Sequence, residues 1–344
     1  MRTALDGRTV AAGFLGALVV LAALAWLVGV EGLLASLATA RPGVVVAVGG
    51  AAVVWVTAWA LALRTVLRAL AAPIPLGRAV AVYTGALFAN NVTPFGQAGG
   101  EPVSALLISE AADTEYETAL AAIASADAVN LVPSVALALV GVVFLWLGDL
   151  GRELLWATAA VVGLAVALPT VAYLAWSNRR RLEAVVGAAV TPVAQAVGGR
   201  VPRLEAPSRS AVEARVDGFV QSLEVVAADR RTLLAAVGYS ALGWFAQAVA
   251  LWLALYSVGV VTPVAVVLVA VPLGAVAGVT PLPGGLGGVE ATLVAVLIPL
   301  AGVSAASAAA AVAIHRGAIY WLPTLVGGGV ASALGAGRFR RLDV

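Results

Sequence analysis

A chain of 344 residues that is 62% hydrophobic, only 11% charged and has a mean hydropathy of +1.03 is too apolar for a soluble domain, and its long apolar runs make it a polytopic helical membrane protein. It has no cysteine, one histidine (His315) and no lysine, so all 20 basic residues are arginine. These counts exclude disulfides, thiolate or multi-histidine metal sites and a GK[ST] phosphate loop, and they make the net charge of +2 a matter of membrane topology rather than of nucleic-acid binding.

In chain order, Met1–Thr9 carries Arg2 and Arg8, and Val10–Val30 is a first span, with no clear cleavable signal and Trp26 near its far end. Glu31–Gly43 reads as a short connection and Val44–Leu63 as a second span. A basic loop follows, with Arg64, Arg68 and Arg78. Ala79–Ile108 is then interrupted by VTPFGQAGGE (Val92–Glu101). Its first arm, Ala79–Asn90, reaches roughly 18 Å at ~1.5 Å per residue, about half of the bilayer core, so the segment reads as a re-entrant hairpin. Ser109–Thr118 is acidic. Ala119–Leu147 is a long span holding Asp127, Asn130 and Pro133, and Leu154–Trp176 is the next.

Ser177–Arg231 is the one long hydrophilic stretch. Apolar residues fall on one helical face over Leu182–Val197 and again over Val212–Val226, where Ser210 and Glu213 have capping-box spacing. Two surface-lying amphipathic helices are expected, compatible with a solvated linker. Thr232–Val258 is a span containing Gln247. Pro263–Leu300 is interrupted by VTPLPGGLGGVE (Val279–Glu290), and Ser304–Leu334 is the last span, with His315, Arg316 and Tyr320 inside it. The nine tryptophans are read by default as interface anchors.

The two interruptions share Val-Thr-Pro, a Gly-Gly pair and a glutamate shortly after it. Proline and glycine stop a helix there, and unwound backbone survives at membrane depth only against protein or a water-filled cavity. Broken segments at matching positions in two halves point to a transporter-type binding site; two helix-breaking turns are the plain structural alternative. The expected fold is an all-α polytopic membrane protein. It has about six full transmembrane helices plus two re-entrant broken hairpins in a degenerate inverted repeat, or eight spans if the hairpins cross. The chain is read as a single integral membrane domain over 1–344, with a first half at 10–176, a linker at 177–231 and a second half at 232–334. This parity puts 17 of the 20 arginines on one side, together with both termini, which the positive-inside rule makes cytoplasmic.

Four charges fall at membrane depth: Glu101, Asp127, Glu290 and Arg316. Each costs ~2.5–3.5 kcal/mol if left alone at a helix centre, so pairing or access to water is expected. Arg316 is the one cation among them. It can lock a carboxylate in a buried ion pair or fork onto an anionic head group. Glu101 and Glu290 can contact a cationic or hydroxyl-rich portion or carry a proton. Asp127 and Asn130 serve function or helix–helix hydrogen bonding equally well. Asn90 and Asn91 read as satisfiers of broken backbone, and His315 as a packing residue.

Three stretches, NNVTPFGQAGGEPVSALLI, TPLPGGLGGVEATLVAVL and HRGAIYWLPTLVGG, resemble the lysylphosphatidylglycerol synthase transmembrane-region family, a flippase-like domain found also in UPF0104-type membrane proteins. The resemblance spans roughly Val10 to Leu334. It implies a lipid-translocating membrane domain whose lipid site is lined by Glu101, Glu290, Arg316 and the prolines and glycines beside them. The aminoacyl-transferase part of the two-part synthases is not in this chain, which removes the ground for taking lysylphosphatidylglycerol itself as substrate. The substrate-binding set is Glu101, Glu290, Arg316, Asn91, Thr93, Pro94, Gly99, Gly100, Thr280, Pro281, Pro283, Gly284, Gly287, Asp127 and Tyr320. No catalytic or metal-binding residue, no cofactor and no enzymatic activity are assigned. The expected function is a flippase or scramblase for an anionic or head-group-modified lipid, polyprenyl-linked lipids included, in the cytoplasmic membrane. Its alternatives are a proton-coupled transporter of a small polar solute, an intramembrane transferase and a membrane support for another enzyme. The expected partners are a membrane lipid and the bilayer, with a separately encoded glycosyltransferase or lipid-modifying enzyme and a second copy of the chain as further candidates; nucleic acid is not one.

Overall fold

Glycine and proline cut this apolar sequence into its helices. The computed structural model describes residues 7–93, 97–147, 153–178, 209–278 and 280–342, and all regular structure among them is helical. Helix α1 (Gly7–Val28) stops at Gly29, whose φ of 91° is open to glycine. The chain then starts again as α2 (Val30–Ala38), so the predicted connection at Glu31–Gly43 is largely helical. The sequence VEGLLASLA is rich in helix formers and is limited only by the glycine before it. Helix α3 (Pro42–Ala69) begins with proline in its first turn, where the missing N–H is no loss.

The first interrupted segment is a helical hairpin, α4 (Leu76–Val92) packed on α5 (Gln97–Ala112). Helix α6 (Tyr116–Trp146) and α7 (Glu153–Ser177) follow. Of the hydrophilic stretch, the predicted helix over Leu182–Val197 lies outside the described residues, as do the side chains of the Ser210–Glu213 capping pattern. The second amphipathic stretch is α8 (Arg209–Ala228), which packs on α6 and buries Val226. It turns at Asp229 into α9 (Arg230–Ser257). The Asp229 carboxylate accepts the Arg231 and Thr232 N–H groups, an N-cap at the junction.

The second interrupted segment is α10 (Val264–Val276), a single 3₁₀ turn at Pro283–Gly285, and α11 (Gly288–Ala301). A left-handed Gly302 leads into α12 (Ala305–Arg316). The predicted last span is not one regular helix. A π-turn at Gly317–Trp321 separates α12 from α13 (Leu322–Leu342). Pro323 explains the irregularity, because it has no N–H to return to the preceding turn.

Among the described residues, five stretches are long and apolar enough to cross a bilayer: Ala11–Val28, Pro42–Ala69, Tyr116–Trp146, Arg230–Ser257 and Pro283–Ala301. The centre of the bundle is the pair α3 and α9. Small residues on α9, including Ala236, Ser240, Gly243 and Ala250, let α3 approach, and the Trp59 indole occupies the space a Cβ on Gly243 would need. Lipid tails offer no hydrophobic drive between helices, so this close packing is what binds them. Large apolar side chains accordingly face outward, among them Leu18, Val53, Phe144 and Leu325. Three tryptophans depart from the anchoring expectation. Trp55, Trp59 and Trp244 are buried and pack edge-to-face around Trp59, at 5.5 Å from it in each case.

Candidate functional site

The second break is built by glycine. Gly284 and Gly287 have φ of 55° and 85°, conformations that cost an L side chain dearly. Gly287 is the N-cap of α11, and its N–H reaches forward to Glu290 Oε2 at 2.6 Å. That bond ties Glu290 into the first turn of α11, where a carboxylate favours the positive end of the helix. Arg316 is the last residue of α12, where a cation favours the negative end. The Arg316 guanidinium donates from Nε to Glu290 Oε1 at 2.6 Å and from Nη2 to the Gly284 carbonyl at 3.3 Å. Both side chains are about nine-tenths buried. The guanidinium also lies over the Tyr320 ring, 4.5 Å from its centroid.

The π-turn turns Tyr320 toward the first break. Its hydroxyl donates to the Asn91 carbonyl at 2.9 Å, and the Asn91 amide donates to the Thr324 hydroxyl at 2.7 Å. Thr324 in turn donates to the Tyr320 carbonyl. The last turn of α4 leaves backbone carbonyls without helical partners, and Tyr320 satisfies one of them. The two breaks therefore meet through Asn91, Gly284 and Tyr320. Helix α11 has 14 residues, so at ~1.5 Å each the meeting point lies roughly 21 Å from the loop at Gly302. We expect Tyr320→Phe to remain folded and to lose about 1 kcal/mol, the worth of one buried hydrogen bond, read as a modest fall in the thermal midpoint of the purified protein.

Beside this junction is a cavity of about 570 Å³. Helix α3 contributes Trp55 and Trp59, α4 Asn90 and Asn91, α5 Glu101, α6 Asp127 and Asn130, α9 Trp244 and Gln247, and α12 His315 and Arg316. Asn130 holds one wall in place. Its Oδ1 accepts from the Ser240 hydroxyl at 2.6 Å, and its carbonyl accepts the Trp244 indole N–H at 2.8 Å. Apolar residues complete the lining, and two of them, Leu131 and Val276, are about half exposed at the surface of the bundle.

Of the residues expected at a site, Asn91, Glu101, Asp127, Gly284, Arg316 and Tyr320 line the cavity. Glu290, Gly287 and Pro283 lie just behind it, holding Arg316 and the turn. Thr93 is buried and bonds to the Ala89 carbonyl, and Gly100 packs against Asn90. Gly99, Thr280 and Pro281 are in the breaks but not in the lining, and Pro94 lies outside the described residues. The lining adds Trp55, Trp59, Trp244, Gln247, Asn90 and His315 to the expected set. The signal for the first two was their spacing of four within one long apolar run, which puts both on one helix face.

The sequence pattern of the lysylphosphatidylglycerol synthase TM region matches residues 13–327. Two proteins named UPF0104 membrane protein, both from Methanothermobacter thermautotrophicus, are similar to the chain. One is 27% identical over 242 residues, covering 69% of this chain and 70% of the relative. The other is 25% identical over 282 residues, covering 80% and 78%.

Proposed function

Since the chain belongs to the lysylphosphatidylglycerol synthase transmembrane-region family, we propose that it is a lipid translocator, a flippase or scramblase, and not an enzyme. The observation that carries this reading is the cavity beside the meeting point of the two breaks, lined by polar and by apolar side chains together. A lipid needs both surfaces at once, one for its head group and one for its chains. The two interrupted segments act as the paired broken helices of an inverted repeat, with the site at the bilayer midplane. The arginine bias supports a reading with both termini cytoplasmic, in the cytoplasmic membrane. A separately encoded lipid-modifying enzyme or glycosyltransferase is a fitting partner, since this reading supplies movement and no synthesis.

A second reading is a proton-coupled carrier of a small polar solute, favoured by Glu101 and Asp127 standing in the same cavity. Proteoliposomes separate the two. Fluorescent lipids placed in both leaflets are exposed to a membrane-impermeant quencher while uptake of small solutes is followed under a pH gradient. The lipid reading expects inner-leaflet lipid to become quenchable only when the protein is present. Gradient-driven solute uptake with static lipid favours the carrier.

A further inference from the structure

Of the five apolar stretches, α1 is the least buried. Among its described side chains only Ala17 is buried, while Leu15, Leu18, Val19, Trp26 and Leu27 face outward. Helix α3 by contrast buries Trp55, Trp59, Leu63, Val66 and Leu67, among others.

What α1 does touch is narrow. Gly13, Gly16, Ala17 and Val20 recur at helical spacing and share one face. That face lies on the second break. A Cβ on Gly13 would stand 3.0 Å from the Pro283 ring, and one on Gly16 would stand 3.4 Å from the Leu282 side chain. Val20 fills the space a Cβ on Gly287 would need. Ala17 packs with Leu286 and Tyr320 in a small cluster separate from the main core. A helix in a bilayer is held by its packing rather than by hydrophobic drive, so this strip is most of what holds α1. Elements that move are drawn from the weakly held parts of a fold.

The helix ends in a hinge. Gly29 has φ 91° and ψ 105°, and a Cβ there would meet nothing within 4 Å, so no neighbour restricts its rotation. Beyond it α2 packs along α12, where a Cβ on Gly32 would come 3.2 Å from the Ala306 Cβ. One side of Gly29 is anchored and the other is lightly held, as in hinged elements generally.

Tyr320 connects α1 to the cavity. It packs against Ala17, lines the cavity, lies under the Arg316 guanidinium and donates to the Asn91 carbonyl of the first break. With α1 in place Tyr320 is only 1% exposed. Lifting α1 uncovers Tyr320 and Leu286, and so a residue that is itself part of the cavity wall. We propose that α1 is a side gate of the cavity, swinging about Gly29 to uncover the second break and admit a lipid past Tyr320. The gate rests on the lipid-translocator reading for what passes through it.

The chain has no cysteine, so an introduced pair gives one defined bridge. Gly16→Cys with Leu282→Cys ties α1 to the break. Gly32→Cys with Ala306→Cys ties α2 to α12 beyond the hinge, with Cβ atoms close to disulfide range. Both full-length variants are placed in proteoliposomes with a fluorescent phosphatidylglycerol and compared after copper-phenanthroline oxidation and after reduction. Oxidation is expected to slow lipid movement at least tenfold in the first pair, reversibly, and less than twofold in the second. Equal rates for the oxidised and reduced forms of the first pair overturn the gate. Spin labels at Leu15→Cys on α1 and Val53→Cys on α3, both outward-facing, read the gate without lipid movement. Two distance populations are expected in lipid nanodiscs, and a single narrow one overturns the gate. Two populations in a protein that moves no lipid would keep the gate and sink the translocator. A single population in a protein that moves lipid would do the reverse.

Discussion

Replacing Glu290 with glutamine should destabilise the protein by about 3–5 kcal/mol, the cost of leaving one member of a buried ion pair alone. The substitution is chosen for what it keeps. The glutamine amide oxygen can still accept the Gly287 N–H, so the N-cap of α11 survives. What is lost is the negative charge 2.6 Å from Arg316 Nε. The guanidinium is then left with the Gly284 carbonyl and the Tyr320 ring, neither of which carries a charge. The thermal midpoint of the purified protein should fall steeply. The double variant Glu290→Gln with Arg316→Gln should recover a large part of the loss, because it removes the uncompensated charge as well as the pair. If the single variant melts like the wild type, the pair is not buried in the way described. Lipid movement should fall in both variants, since Arg316 anchors the turn at Gly284 that walls the cavity.

Gly284→Ala is the second large effect, and Gly302→Ala is its control. Both glycines have positive φ, 55° and 64°, and so both alanines carry a conformational cost of about 1–2 kcal/mol. They differ in what surrounds them. A Cβ on Gly302 meets nothing within 4 Å, whereas one on Gly284 would overlap the Tyr320 ring and stand 3.1 Å from the Asn91 Cα. Gly284→Ala must therefore push the two breaks apart or displace Tyr320, adding roughly 1–3 kcal/mol of overpacking. The expected outcome is a small shift for Gly302→Ala and a much larger one for Gly284→Ala, accompanied by loss of lipid movement. Similar shifts in the two variants would mean that the Gly284–Tyr320 contact carries no weight.

The sequence showed where the chain breaks because helix-stopping chemistry is local. Pro281, Pro283 and the glycines around them announce an interruption whatever surrounds them. The charges at membrane depth were visible for a similar reason, since an isolated carboxylate in an apolar run is costly in any fold. Which charges would pair was not visible. Arg316 and Glu290 are 26 positions apart and meet because Gly302 folds α11 back against α12. That Asp127 stands in the cavity away from the guanidinium is a property of the packing of α6, and no spacing in the sequence encodes it. Trp55, Trp59 and Trp244 depart from the anchoring reading for a general reason. Interface anchoring is the commonest role of tryptophan in a membrane protein, and only the mid-helix spacing of Trp55 and Trp59 argued otherwise. The π-turn at Gly317–Trp321 combines a local cause, Pro323, with a tertiary one, the hydrogen bonds Tyr320 makes to the other break.

On the translocator reading, a lipid head group enters the cavity where the two breaks meet. Photo-crosslinking with a lipid whose reactive group sits on its head, followed by peptide mapping, tests it most directly. Adducts are expected on cavity residues such as Trp59, Trp244 and Tyr320, reduced in Gly284→Ala. Adducts confined to the outward-facing surface, at residues such as Leu18, Val53 and Phe144, would contradict it.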